Sequence, residues 1–369
     1  MAEESFPVTT LVLPVTPGGD PAAVEQAARL VRAGRLVAFP TETVYGLGAD
    51  ATSTDAVERI FAAKQRPHSD PLIVHLAAAA ALPSVAQEPP PLAWALAERF
   101  WPGPLTLVLR RAEGIPAVVA AGGPTVGVRV PAHAVARELI ARAGVPIAAP
   151  SANRFMHTSP TTAAHVLADL DGRVDCVLDA GPCSVGVEST VLDLTRDPPR
   201  ILRPGGVTFE ALRALVPNVE APTRSTPAPG GGEAPAILPA PGQLERHYAP
   251  RARVVVFDAQ GPAALAAIVR EAERYLARGE RVGALLPDEE AAALAGTGAH
   301  IQTLGPGNDL AEVSRRLYAA LRAVDELAPT VILSHTFGTS GLGLAVWDRL
   351  RRAAGGSLRS VAAEDDAQP

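Results

Sequence analysis

The residues with the clearest chemistry lie in a crowded polar stretch and at two cations that follow it. Thr41, Glu42, Thr43 and Tyr45 fall just ahead of Gly46 and Gly48, where backbone can turn sharply or approach a ligand closely. Lys64 and Arg66 come next, and Pro67 pushes Arg66 out of helical geometry. Past a helix end, side chains two apart share a face, so both cations can aim at one point. Cations also sit well at a helix C-terminus, where the dipole is negative, and that reading stays open. The hydroxyl-rich loop tips the balance towards a polar, anionic ligand.

Further along, residues 125–130 read as a strand with Thr125, Gly127 and Arg129 on one face. A buried guanidinium needs an anionic partner, and the space Gly127 leaves favours a ligand over an internal salt bridge. The run PIAAPSAN over 146–153 is built from small residues that let backbone line a close-fitting pocket, and Ser151 and Asn153 offer hydrogen-bonding groups. Residues 159–162, beginning with Ser159, read as a helix start whose amides and hydroxyls can hold phosphate oxygens; an ordinary cap would look the same. Arg203, at a strand end before Gly205 and Gly206, supplies another phosphate ligand. No serine–histidine–aspartate arrangement, paired acid/base carboxylates or metal-ligand spacing stands out. Adenylyl or phosphoryl transfer needs positioning and charge neutralisation more than a protein nucleophile, so cations, amides and hydroxyls suffice for it.

The elements that must hold these groups can be read in order. A helix opens at Asp20-Pro21 and closes at Gly34, and a short buried strand covers 35–39. Thr54 or Asp55 caps a helix with Val57, Ile60, Phe61 and Lys64 on one side. Residues 92–101 form a short helix whose Trp94, with Phe100 and Trp101, is expected in the core. Strands follow at 105–109 and 176–179, with helices at 133–143 and 208–215, and residues 187–194 form an apolar run carrying Glu188, Ser189 and Thr190.

Residues 217–250 have the composition of an extended linker, rich in Pro, Gly, Ala and Ser, yet end in the polar, aromatic run Arg246-His247-Tyr248. Beyond it, strands at 252–257, 281–286, 300–304 and 330–335 alternate with helices at 262–278, 288–295, 309–326 and 342–353. That spacing implies βα units on a mainly parallel sheet. GTSGLG over 338–343 departs from the dinucleotide fingerprint and is expected as a tight turn.

Hydrophobic content of 47% with 20% charged residues is the balance of a globular protein with ample core, and 369 residues allow two domains. A net charge of −6 and 4% aromatics argue against a nucleic-acid-binding module. Cys176 and Cys183 make neither a metal cluster nor a disulfide framework. Glu3 and Glu4 stand where a secretory leader would be positive, and no apolar run approaches ~18 residues, so a reducing cytoplasm and no membrane span are expected.

PTETVYGLG, KQRP, PLIVH, FWPGPLTLVL, VGVRVP, APSAN, VESTVLDL and ILRPGG, in that order, resemble the signature of the YrdC family in its long, two-domain form. The resemblance implies an α/β fold: an N-terminal YrdC-type twisted mixed sheet curving around a concave site, plus a C-terminal Rossmann-like α/β domain. It divides the chain into a catalytic domain over 1–216, a linker with a lid motif over 217–250, a Rossmann-like domain over 251–355 and a disordered tail over 356–369. It further implies an ATP-dependent nucleotidyltransferase that joins L-threonine, bicarbonate and ATP into an L-threonylcarbamoyl adenylate, releasing pyrophosphate. Mg²⁺ would accompany ATP, and a tRNA threonylcarbamoyl transferase would receive the product. Carried over position by position, Lys64 and Arg66 are catalytic. Thr43, His75, Arg129, Ala149 and Ser189 contact threonine; Arg66, Asp70, Thr125, Ser151, Ser159, Arg203, His247 and Tyr248 contact ATP. The hydrogenase-maturation carbamoyltransferases, a rival with a similar domain, carry paired-cysteine zinc motifs that two cysteines cannot supply.

Overall fold

A computed structural model describes residues 8–16, 19–222, 240–356 and 358–361. It divides into two compact units, Met1–Phe155 with Ser159–Gln243, and Met156–Thr158 with Leu244–Pro369. The division falls inside the stretch expected as a linker, whose residues 223–239 lie outside the described ones.

The strands of the first unit are β1 (Leu11–Pro14), β2 (Val37–Phe39), β3 (Gly46–Asp50), β4 (Ile73–His75), β5 (Leu105–Arg110), β6 (Thr125–Arg129), β7 (Ile147–Ala148), β8 (Cys176–Asp179), β9 (Thr190–Asp193) and β10 (Arg200–Arg203). Its helices are α1 (Pro21–Arg32), α2 (Thr54–Lys64), α3 (Pro91–Phe100), α4 (Ala134–Ala143), α5 (Ala163–Leu170) and α6 (Phe209–Leu215). The strands join in the order β1-β8-β2-β3-β7-β4-β6-β5-β9-β10, with parallel and antiparallel pairs mixed.

Alternation along these strands sorts the sheet into two faces. One carries Leu47, Val74, Val128, Leu107 and Leu192 into the main core. On the other, register pairs Ile147 with His75, His75 with Arg129, Gly127 with Val108, Thr106 with Val191, and Val191 with Arg203. Towards β2 that second face is covered by α1 and α4, whose Val24, Val31 and Leu139 share a core with Phe39 of β2. Towards β10 it carries the polar residues singled out above.

Several expectations are corrected. Gly46 and Gly48 belong to strand β3, paired with β2, rather than a turn, and a Cβ on Gly48 would lie 2.7 Å from Phe39 Cε1 and 2.8 Å from Ile147 Cγ2. Helix α2 is capped by Ser53, whose hydroxyl accepts from the Ala56 amide at 3.3 Å, and Gln65 ends it in the left-handed region at φ 55°. Trp94 is 39% exposed: it lies on the outer side of α3, whose Ala93, Leu96 and Ala97 take the core positions.

The second unit holds β11 (Arg253–Phe257), α7 (Gly261–Leu276), β12 (Val282–Leu286), β13 (His300–Thr303), α8 (Leu310–Glu326), β14 (Val331–His335), α9 (Gly343–Ala353) and β15 (Leu358–Arg359). Every described pair in its sheet is parallel, in the order β13-β12-β14-β11-β15. Strand β15 corrects the expectation of a disordered tail: Leu358 and Arg359 pair with Val256 and Phe257, and Arg359 reaches Glu271 at 2.6 Å. Residues 362–369 lie outside the described ones.

Candidate active site

Arg129 organises the polar face of the first unit. Its Nε donates to the Gly103 carbonyl (3.1 Å), its Nη1 to the Thr43 hydroxyl (2.9 Å), and its Nη2 lies 2.7 Å from Glu42 Oε1. The internal salt bridge, which the sequence ranked below a ligand, is therefore present, and its carboxylate is Glu42. Thr43 is held in turn by Thr41 (2.8 Å between hydroxyl oxygens), whose own hydroxyl donates to the Val44 carbonyl. Beside Arg129 across the β4–β6 ladder stands His75, whose Nδ1 faces the Ile73 carbonyl at 3.2 Å. Burial, reinforced by Arg129, pushes the His75 pKa down to about 3, so the imidazole is neutral at ordinary pH.

That shift predicts a pH dependence. A folded value below the unfolded one means that the unfolded chain binds more protons between the two. His75 therefore contributes stability that is present above pH 6.5 and is lost as pH falls towards 3, at up to about 1.4 kcal/mol per pH unit. Urea unfolding of wild type and His75→Gln across that range should show a flatter pH dependence in the variant.

A hydroxyl chain continues the face. Thr106 and Ser189 lie 2.8 Å apart through their hydroxyl oxygens. Arg203 grips Ser189 twice, at its carbonyl (3.0 Å) and hydroxyl (3.1 Å), and reaches the Pro241 carbonyl at 3.2 Å. Ala149 is buried, its amide bonded to the Ile73 carbonyl.

Lys64 and Arg66 part company in detail but share a charge partner. Lys64 Nζ donates to the carbonyls of Ser151 (2.5 Å) and Asn153, and burial holds its pKa well below the ordinary lysine value. Arg66 donates to the carbonyls of Asp70 (3.1 Å) and Pro71 (2.8 Å), and its Nη2 lies 3.0 Å from Asp70 Oδ2. Burial pushes the Asp70 carboxyl up, while Arg66, Lys64 and Arg203 all pull it down. Of the three cations, Arg66 makes the direct contact with this buried carboxylate, and Lys64 and Arg203 act on it electrostatically.

Thr125 and Gly127 line a cavity of about 270 Å³ together with Leu72, Val108, Val191, Ala240 and Pro241. Residues 240–241 are accordingly packed, not extended linker. Ser159 is also corrected: α5 starts at Ala163, capped by Thr162, and the buried Ser159 hydroxyl donates to Glu188 Oε1 at 2.6 Å instead of fronting a helix. Thr106 is a participant the sequence did not single out, and Glu42 and Glu188 were not assigned the partners they take, Arg129 and Ser159. Glu42 stood beside Thr43, and the need of Arg129 for an anion was the signal that could have found it.

His247 and Tyr248 belong to the second unit. Tyr248 is buried at φ 59°, its ring 5.0 Å from the Arg349 guanidinium and 5.8 Å from Tyr318, with the His247 ring edge-on at 4.0 Å. These contacts anchor the motif within its own unit. Cys176 and Cys183 are buried free thiols, both pushed up to about 12 chiefly by burial. Among the described residues, no helix is long and apolar enough to cross a membrane.

A polar sheet face carrying arginines and hydroxyls is the candidate site, and comparison with known proteins gives the class of the chain. Residues 29–205 match the family of Sua5, YciO and YrdC, described as "Telomere recombination", and residues 207–355 match "Threonylcarbamoyl-AMP synthase, C-terminal domain". Threonylcarbamoyl-AMP synthase of Pyrococcus abyssi is 44% identical over 331 residues, covering 89% of this chain and 93% of the relative. That of Bacillus subtilis is 42% identical over 336 residues, covering 91% and 94%. The crystal structure of P. abyssi Sua5 complexed with L-threonine is similar to this one with a TM-score of 0.88 at 41% identity, covering 95% of this chain and all of that one. The chain belongs to the threonylcarbamoyl-AMP synthase family, in its two-domain form.

Proposed function

We propose that the chain joins L-threonine, bicarbonate and ATP into L-threonylcarbamoyl-AMP, releasing pyrophosphate, as the activating step of threonylcarbamoyladenosine formation in tRNA. The observation that carries this reading is the continuity of one sheet face. A guanidinium-centred group (Arg129, Thr43, His75) shares that face with Ser189 and Arg203, and Arg203 acts electrostatically, with Arg66 and Lys64 at the end of α2, on Asp70. Threonine occupies the first part. Its carboxylate pairs with Arg129, and its hydroxyl is held by neighbouring threonine, serine or histidine groups. The triphosphate lies along the second part, and the apolar cavity beside Thr125 takes the adenine base.

Chemistry follows from that placement. The threonine amine combines with bicarbonate to give a carbamate, a carbamate oxygen attacks the α-phosphorus, and pyrophosphate leaves. Lys64, Arg66 and Arg203 offset the charge on the phosphate oxygens. Mg²⁺ bound to those oxygens would share this role. The described residues contain no cluster of three metal-ligating side chains, and Asp70, ringed by cations, is the carboxylate that would face such an ion. The product then passes, in the cytoplasm, to a tRNA threonylcarbamoyl transferase.

Pyrophosphate release measured with each substrate omitted in turn tests the reading. Release that needs threonine and bicarbonate together supports it. Release indifferent to threonine would return the chain to a carbamoyl-activating or simple nucleotide-hydrolysing class.

A further inference from the structure

We propose that Glu42 is the base that frees the threonine amine for carbamate formation, a role that rests on the reading of the site given above. The Glu42 residue is 6% exposed, and its Oε1 lies 2.7 Å from Arg129 Nη2. Neither carboxylate oxygen receives a well-aligned hydrogen bond from the protein. Buried carboxylates ordinarily fill their acceptor sites, so this one has open acceptor capacity in the wall of the pocket. Its main chain is fixed, the Glu42 carbonyl accepting from the Val185 amide at 2.7 Å.

The chemistry of an α-amino acid supplies the donor. Carboxylate and ammonium are borne by the same carbon, so a substrate whose carboxylate is drawn to Arg129 brings its ammonium to the same neighbourhood. The anion there is Glu42. An ammonium has no lone pair and cannot attack carbon. Glu42 takes one proton, leaving a neutral amine and a carboxylic acid. The amine then forms the N–C bond to bicarbonate; the C–OH bond breaks, and hydroxide leaves with a second proton from nitrogen as water. The products are the carbamate and water, and Glu42 returns its proton to solvent.

Neighbouring groups are poorly suited to this task. Burial and Arg129 hold His75 near 3, and burial pushes the Cys183 thiol up to about 12. The Tyr45 hydroxyl already donates to the Gly181 carbonyl at 2.7 Å.

The two directions of the reaction separate a base from a structural partner of Arg129. Synthesis needs the amine deprotonated. The reverse step, in which pyrophosphate attacks isolated threonylcarbamoyl-AMP to give ATP and the carbamate, moves no proton on nitrogen. Full-length Glu42→Gln should lose at least about 100-fold in synthesis, the scale of general-base catalysis, while its rate of ATP formation in reverse, which feels only the altered support of Arg129, falls far less. Glu42→Asp should recover part of the forward rate. Equal losses in both directions, or no loss in either, would overturn the proposal. If Glu42→Gln does not fold, the forward-to-reverse ratio of Glu42→Asp decides, and a ratio equal to that of wild type counts against a base. Failure of both variants to fold makes Glu42 structural and likewise overturns it. Wild type that makes no adenylate at all would instead sink the functional reading on which the role depends.

Discussion

Arg129→Lys should raise the threonine KM by at least about tenfold and leave the ATP KM nearly unchanged, because a planar fork is replaced by a point charge. The native guanidinium makes three separate contacts, to Gly103, Thr43 and Glu42, and these orient it in the pocket. A lysine can meet Glu42 but cannot also span the other two and grip a substrate carboxylate. Arg129→Ala is the harsher change, since it leaves a buried carboxylate without its cation, at a cost of about 3–5 kcal/mol. Steady-state kinetics with each substrate varied, beside thermal unfolding, separates the two effects. Equal weakening for threonine and ATP in Arg129→Lys would mean that the residue only holds the fold.

Lys64→Met should cut turnover by more than about tenfold while also destabilising the chain. Methionine keeps most of the stem volume and removes the donor. The Ser151 and Asn153 carbonyls then lose their bonds to Nζ, which costs about 1–3 kcal/mol for each group left unsatisfied. A helix-dipole role alone predicts a far smaller change, since that interaction is worth about 0.3–1 kcal/mol at an exposed end. Turnover near that of wild type, with a lowered melting temperature, would confine Lys64 to bracing the 151–153 loop.

Much of this architecture was legible in the residue order. Strand 176–179 and the alternation from 252 onwards stand where the sequence placed them, because long periodic segments and βα spacing carry their own signal. Local rules failed where a distant neighbour decides. Gly46 and Gly48 read as a turn or a close approach to a ligand; they lie in a strand, and the close approach is by the Phe39 ring, which occupies the space a side chain would need. Trp94 read as core from its size alone, although Ala93, Leu96 and Ala97 set the buried side of its helix. Residues 159–162 read as a helix start and Thr162 does cap α5, but the Ser159 hydroxyl pairs with Glu188, 29 residues away in sequence. Arg129 was found from strand alternation, whereas its pairing with Glu42 joins β6 to a loop 87 positions earlier and leaves no periodic trace.

The account stands most directly on the covalent identity of the product. Full-length protein incubated with ATP, L-threonine and ¹³C-bicarbonate, with the nucleotide products resolved by mass spectrometry, reports it in one measurement. The expected result is an AMP conjugate that carries threonine and one ¹³C, formed in step with pyrophosphate and lost when either small substrate is left out. AMP and pyrophosphate without that conjugate, or an unlabelled threonyl-AMP, would contradict it.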